Sequence, residues 1–255
     1  MIKKYTVITG ASSGIGRSAA IKFAEEGKNL ILAARNEAAL KELKKELESK
    51  CQSSIIVKSV DLSKEQEVKE FWASLGDYQI ETFVNNAGFG KKTTVEQMDL
   101  EDISEMIDLN IKALVYLSTK FVAQYRDVAG TTLVNVGSLA GYSIFNESVV
   151  YSASKFFVSA FTEGLAKELE VNKHLLKVKI LAPGPVETNF EAVAKNVSTV
   201  NYQETFPQYH TADQMADFLL ELVNSDKVLG KVNRDEMTFS LVDGIFEKIG
   251  FESSK

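Results

Sequence analysis

Apolar residues along this chain come in two alternating textures. Short runs rich in Val, Ile and Leu, with little polar alternation, recur at residues 5–9, 29–34, 55–60, 82–85, 131–137 and 178–182. Such runs fit strands covered on both faces. Between them, residues 15–26, 37–48, 64–75, 100–125 and 150–171 carry apolar positions at three-to-four spacing, which predicts amphipathic helices. The regular alternation predicts a three-layer α/β architecture, a doubly wound parallel sheet with right-handed crossovers, in a single domain over residues 1–255. Beyond Pro183 the texture changes. Residues 184–211 hold Pro185 and Pro207, with Phe190, Tyr202, Phe206 and Tyr209 spread among polar residues. That mixture suits a substrate-binding lid and equally a solvated excursion with its aromatics tucked into the core. Thr211 then fits the N-cap of a helix reaching Asn224, and residues 237–242 fit a last strand.

Composition narrows the partners. The 255 residues are 45% hydrophobic and 25% charged, ordinary for a soluble globular protein. The formal net charge of −6 argues against a nucleic-acid surface and against adhesion to anionic lipid. A lone cysteine, Cys51, rules out an internal disulfide framework and points to a reducing compartment. His174 and His210 lie far apart with no metal-ligand spacing around them, so no metal is expected. The first apolar segment stops at Gly10, too short for a signal peptide or a membrane span, so a cytoplasmic protein without a membrane partner is expected.

The first strand runs into Thr9-Gly10-Ala11-Ser12-Ser13-Gly14-Ile15-Gly16 and then a helix. Glycine serves there for the tight turn, for close approach of backbone to a pyrophosphate and for helix-on-strand packing, while free amides at the helix start face the phosphates. This strand–turn–helix setting is the one that makes the glycines a dinucleotide site of Rossmann type, not only a tight turn. At the end of the second strand, where a carboxylate would hold the ribose 2′-hydroxyl of NAD, the chain reads Ala33-Ala34-Arg35-Asn36, with no acid before Glu37. Arg35 could fork onto a 2′-phosphate, which predicts NADP(H) over NAD(H); its plain alternative is a surface charge. Asp61-Leu62, Asn85-Asn86-Ala87-Gly88 and Gly137-Ser138 all fall at carboxyl ends of predicted strands, the edge where open α/β sheets bind ligands.

Tyr151 and Lys155, four residues apart, differ by roughly 40° around a helix and lie one turn apart. A phenol has a reference pKa of about 10. One cation at about 4 Å supplies roughly the 4 kcal/mol needed to bring that near neutrality. The pair therefore suits acid/base chemistry, although the spacing by itself is common on helix surfaces.

In this combination of motifs the chain resembles the short-chain dehydrogenases/reductases, in their single-domain branch of about 250 residues. The resemblance spans residues 4–190. It implies that the turn from Gly10 through Ser12, Ser13, Gly14 and Ile15 to Gly16 binds the pyrophosphate, and that Asp61 and Leu62 contact the adenine. Asn86, Ala87 and Gly88 would line the cofactor cleft, and Pro183, Gly184, Val186 and Thr188 would hold the nicotinamide carboxamide. The implied catalytic set is Asn110, Ser138, Tyr151 and Lys155, with Lys155 also on the nicotinamide ribose and Asn110 linking it to solvent through water. Each has a structural alternative: Asn110 could satisfy backbone, Ser138 could cap a turn, and Tyr151 could be a core residue. The resemblance also implies a homodimer through the helices at 100–125 and 150–171, with a homotetramer as the larger assembly. The apolar tail at 245–251 departs from the family pattern, and suits an extra helix, an oligomer contact or packing over the active site.

These features predict an NADP(H)-dependent oxidoreductase that moves a hydride between nicotinamide and a small carbonyl or alcohol substrate, with Tyr151 as acid/base. The alternative is a catalytically silent dinucleotide-binding regulator on the same fold. A sugar-nucleotide epimerase would need a substrate domain for which the chain has little room. Aromatics near 139–145, 89–92 and beyond Thr188 suggest an apolar or mixed substrate, whereas Lys91 and Lys92 could receive an anionic group.

Overall fold

The computed structural model describes residues 3–251. Strand β1 (Lys4–Thr9) is followed by α1 (Gly14–Glu25), β2 (Asn29–Ala34), α2 (Glu37–Lys50), β3 (Ile55–Ser59), α3 (Glu65–Ala73) and β4 (Gln79–Asn85). The chain continues through α4 (Leu100–Ile107), α5 (Leu114–Tyr125), β5 (Thr132–Val136), α6 (Val149–Val171) and β6 (Lys177–Ala182). Its last part comprises β7 (Val186–Glu187), α7 (Phe190–Lys195), α8 (Tyr202–Thr205), β8 (His210–Thr211), α9 (Ala212–Asn224), β9 (Leu229–Val232) and β10 (Phe239–Val242).

One sheet runs in the order β3-β2-β1-β4-β5-β6-β9-β10. Consecutive side chains on a strand point to opposite faces. Ile8, Leu30, Leu32, Val84 and Val134 meet Phe23 of α1, Leu43 and Leu47 of α2 and Leu219 of α9. Their sequence neighbours Val7, Ile31, Phe83 and Leu133 meet Phe71 of α3, Phe121 of α5 and Leu169 of α6. Both faces are thus covered, which is why the strands show no polar stripe. The strand order reverses between β1 and β4, and that reversal opens a crevice at the carboxyl ends of the strands.

The structure revises several expectations. The helix predicted over 100–125 is two helices joined by a π-helical segment, Asp108–Ala113, which carries Asn110. The sheet is not wholly parallel: β9 joins β6 in parallel, and β10 returns antiparallel to it. Strand β9 was not predicted, because Leu-Gly-Lys-Val offers two apolar residues around a glycine that lies under the ring of Phe239. The last strand begins at Phe239, and Met237 sits before it with φ of +52°. Strand β4 begins at Gln79, earlier than residue 82. Residues 184–211 are a folded excursion: β7 pairs with β8 at its base, through Val186 to His210 and Glu187 to Thr211, and α7 and α8 lie between. Residues 245–251 form no helix.

Thr211 caps α9 as expected, in a reciprocal capping box with Gln214. Among the described residues no helix is long and apolar enough to cross a membrane, and no group of three or more His, Cys, Asp or Glu residues is placed to hold a metal.

Candidate active site

The glycine turn between β1 and α1 has the backbone it needs. Gly10 has φ of +67°, and a Cβ on Gly16 would run into the carbonyl oxygen of Gly10 and lie 2.6 Å from Nδ2 of Asn86. The N-cap of α1, Ser13, makes no side-chain cap bond, and the first turn holds no acidic residue. Its leading amides are therefore free for an anion, and the helix dipole favours one. The turn is secured from the neighbouring strand. Thr9 Oγ1 accepts from the amides of Asn86 and Ala87, both at 3.0 Å, while Asn86 Nδ2 donates to the carbonyls of Thr9 at 3.0 Å and Gly10 at 3.3 Å. Thr9 thus organises the site more than its place at the edge of the motif suggested. Ile15 is partly buried against the core under α1, Ser12 is half-buried in the turn, and Ser13 is exposed.

Arg35 directly follows β2, with its guanidinium largely exposed and paired to Glu105 of α4 at 3.2 Å. Asp61 lies close by. Partial burial opposes its ionisation, but hydrogen bonds from the amide and hydroxyl of Ser63 and the charges of Arg35 and Lys64 outweigh that and hold the carboxyl below its ordinary range. Leu62 is packed into the core, so its side chain is less open to a ligand than the sequence suggested.

Beyond β4, the loop Asn86–Gly88 leads to Asn110. The side chain of Asn110 accepts from the amide of Phe89 at 3.1 Å and donates to its carbonyl at 2.9 Å and to Ser154 Oγ at 3.2 Å. The π-helical segment turns this residue inward, where it is buried. A Cβ on Gly88 would lie 3.0 Å from Asn110 Oδ1 and 3.6 Å from Lys155 Nζ, so these two polar groups share one edge of the cleft.

Ser138 follows β5 and caps the short 3₁₀ turn Leu139–Gly141, its Oγ accepting from the amide of Ala140 at 3.1 Å. Tyr151 and Lys155 lie one turn apart on α6. The ammonium of Lys155 sits 5.9 Å from the centre of the Tyr151 ring and donates to the carbonyl of Val136 at 2.9 Å. Burial pushes Lys155 down to about 8. Burial also pushes the Tyr151 phenol up to about 12, with Ser138 pulling the other way and the Glu191 charge adding to the rise. A phenol lowered by its lysine is therefore not what this structure contains: the ammonium is turned toward a backbone carbonyl, and desolvation exceeds its Coulombic influence.

The excursion beyond β6 reaches both parts of the cleft. Pro183 accepts the amide of Leu139, which joins the segment to the Ser138 turn, and Gly184 packs beside Leu139, Val232 and Met237. Val186 is buried in β7, and the Thr188 methyl lies 3.0 Å from where a Cβ on Gly14 would stand. Thr188 is also held by Tyr202, whose hydroxyl donates to its carbonyl at 3.1 Å. The Phe190 ring meets Tyr151, with centres 5.5 Å apart. Next to it Glu191 holds a buried Oε2 with no hydrogen-bond partner, its nearest cation being Lys195 at 3.8 Å. Sequence reasoning did not single out Glu191, which reads there as one more helix charge.

The structure thus gathers Asn110, Ser138, Tyr151 and Lys155 on the same edge as the glycine turn, with Arg35 and Asp61 at the far end. A family model described as short chain dehydrogenase matches residues 4–197. The chain belongs to the short-chain dehydrogenase family of oxidoreductases. It is 37% identical over 209 residues to a sulfoacetaldehyde reductase of Chromohalobacter salexigens, covering 79% of this chain and 81% of that protein. An uncharacterised oxidoreductase of Staphylococcus saprophyticus is 34% identical over 187 residues, 72% of this chain and 79% of its own length. Among solved structures, a short-chain dehydrogenase from Sphingobium yanoikuyae in complex with NADPH superposes with a TM-score of 0.82 at 27% identity, covering 89% of this chain and 87% of that one.

Proposed function

We propose that this protein is an NADP(H)-dependent oxidoreductase for a carbonyl/alcohol pair, with Tyr151 as its acid/base. The observation that carries the reading is the meeting of Ser138, Tyr151 and Lys155 beside a glycine turn whose helix amides are uncapped. The residues fit the cofactor. The free amides of α1 would take the pyrophosphate, Arg35 the 2′-phosphate, Asp61 and Leu62 the adenine, Lys155 the nicotinamide ribose, and Pro183, Gly184, Val186 and Thr188 the carboxamide, with Asn86, Ala87 and Gly88 lining the cleft. When bound, the nicotinamide supplies hydride at C4 to the carbonyl carbon, or accepts it in the reverse direction.

The chain's own groups handle the proton. The Ser138 oxygen already accepts from the amide of Ala140, so its hydroxyl hydrogen is free to hold the substrate oxygen. Tyr151 keeps its proton far above neutral pH and gives it to that oxygen as negative charge develops there. A protonated phenol suits carbonyl reduction, the direction we assign. Phe190 lies against Tyr151 and closes water out, and on this reading residues 184–211 act as the substrate lid.

The lining favours a neutral or cationic carbonyl compound with an apolar body. Glu191 places negative charge near Tyr151, and of the two cations that could receive an anion Lys91 is paired to Asp102 at 3.0 Å, leaving the exposed Lys92. We also propose a homodimer through α5 and α6, where Phe157 stacks on Phe161 and stands 42% exposed.

The test is a panel of ketones, aldehydes and quinones followed by NADPH absorbance in wild type and Tyr151→Phe. Turnover should fall by about a thousandfold or more with NADPH affinity nearly intact. Substantial residual turnover would remove Tyr151 from its role. NADPH binding without oxidation by any carbonyl would favour the silent regulator.

A further inference from the structure

Tyr151, Lys155, Ser159 and Glu163 follow one another at four-residue steps along α6, so they form one stripe. The short turn that begins at Ser138 lies directly on it: a Cβ on Gly141 would stand 2.5 Å from the carbonyl of Lys155 and would strike Ser159 Oγ. At the far end of the stripe Glu163 is 1% exposed, a carboxylate that needs donors to remain there. It has them. Oε2 accepts from the amides of Ile245 at 2.9 Å and Phe246 at 3.1 Å, with Lys248 Nζ at 3.5 Å, and Oε1 accepts from the Tyr142 hydroxyl at 2.9 Å. Gly244 makes this possible: its φ is +99°, and a Cβ there would stand 2.5 Å from Glu163 Oε2.

Tyr142 is held twice. Its hydroxyl is on Glu163, and its ring stacks on Phe246 with centres 5.5 Å apart and planes 23° apart. The Tyr142 amide donates to the carbonyl of Leu139 at 3.0 Å, and the Ala140 amide donates to Ser138 Oγ. A single turn of backbone therefore connects the aromatic stack to the serine hydroxyl. The segment doing this is not core, since Ile249 is 80% exposed and Ile245 50%.

We infer that Glu163 and Phe246 are positioning residues, which clasp residues 244–251 onto α6 and through Tyr142 hold the Ser138 turn against Tyr151. The catalytic consequence rests on the function proposed above; the clasp itself does not. Neither residue touches the reacting atoms, and Glu163 lies two turns beyond Lys155.

The experiment compares wild type with Phe246→Ala, Glu163→Gln and Phe246→Trp by amide hydrogen exchange and by NADPH-dependent carbonyl reduction. Phe246→Ala and Glu163→Gln should speed exchange in peptides covering residues 138–145 by about tenfold, leaving residues 10–16 unchanged. In the same variants kcat should fall about tenfold while the NADPH Kd stays within about twofold, and Phe246→Trp should restore both readouts. Unchanged exchange at 138–145 overturns the clasp. A loss of activity that only follows lost NADPH affinity or folded fraction overturns the positioning role. If wild type reduces no carbonyl, altered exchange still upholds the clasp, and the failure falls on the proposed reaction.

Discussion

Asn110 and Phe89 exchange two hydrogen bonds: the side-chain amide of Asn110 donates to the Phe89 carbonyl at 2.9 Å, and its oxygen accepts from the Phe89 amide at 3.1 Å. The loop after β4 is thereby pinned to the π-helical segment between α4 and α5. Replacing Asn110 by Leu leaves both backbone groups of Phe89 without their partner, at a cost of about 1–3 kcal/mol each. Urea unfolding should report a loss of roughly 2–5 kcal/mol, and reductive kcat should fall with it. A variant as stable as wild type would mean that water replaces the side chain.

The pH dependence separates the two groups on α6. Tyr151, pushed up to about 12, keeps its proton throughout the accessible range and contributes no falling limb below pH of about 10. Lys155, pushed down to about 8, loses its charge as pH rises through that value in the free enzyme. The kcat/KM for NADPH, which reports the free enzyme, should be level below about 7 and fall above about 8. A profile level to pH of about 10 would show that the ammonium charge is not needed for capture of the cofactor.

Lys155 should cost stability where it serves function. Its folded value of about 8 lies below the ordinary lysine value, so below pH 8 the folded protein holds a charge that burial disfavours. As pH rises from about 8 toward about 10.4, the folded state sheds that proton before the unfolded state does, and the penalty is relieved. Lys155→Met should therefore abolish turnover yet stabilise the protein at neutral pH, by up to roughly 3 kcal/mol less the lost bond to the Val136 carbonyl. The gain should shrink above pH of about 9. Thermal unfolding at two pH values checks both signs.

Arg35 faces competition from its own chain. Its guanidinium rests on Glu105 at 3.2 Å, with both side chains exposed enough for water to screen the pair. Arg35→Ala should cut the preference for NADPH over NADH by about tenfold or more, and Glu105→Gln should tighten NADPH about two- to fivefold by freeing the fork. An unchanged cofactor preference in Arg35→Ala would identify Arg35 as a surface charge.

The parts legible in the sequence are those that repeat a physical rule locally. Buried runs mark β1 to β6, glycines that cannot carry a Cβ mark the turn at Gly10 and Gly16, and Thr211 with Gln214 marks the start of α9. Four-residue spacing also places Tyr151 beside Lys155. It does not reveal that the ammonium turns to Val136, because that direction depends on how α6 packs back onto the end of β5. Glu163 is hidden for the same reason. In Phe161-Thr-Glu-Gly-Leu it reads as a solvent-facing helix charge, and only the return of residues 244–248 makes it a buried acceptor. The π-helical segment at Asn110 escapes detection because it widens a few residues of a helix without disturbing the apolar period that announces it.

The two-residue pairing of β7 with β8 gives the excursion both of its feet in one place. A protease cut between α7 and α8, around residues 196–201, would leave two ends still stitched together at Val186 and His210. A nicked chain would then migrate as two fragments under denaturing conditions and as one body in native gels, with the excursion severed at its tip and still joined at its base.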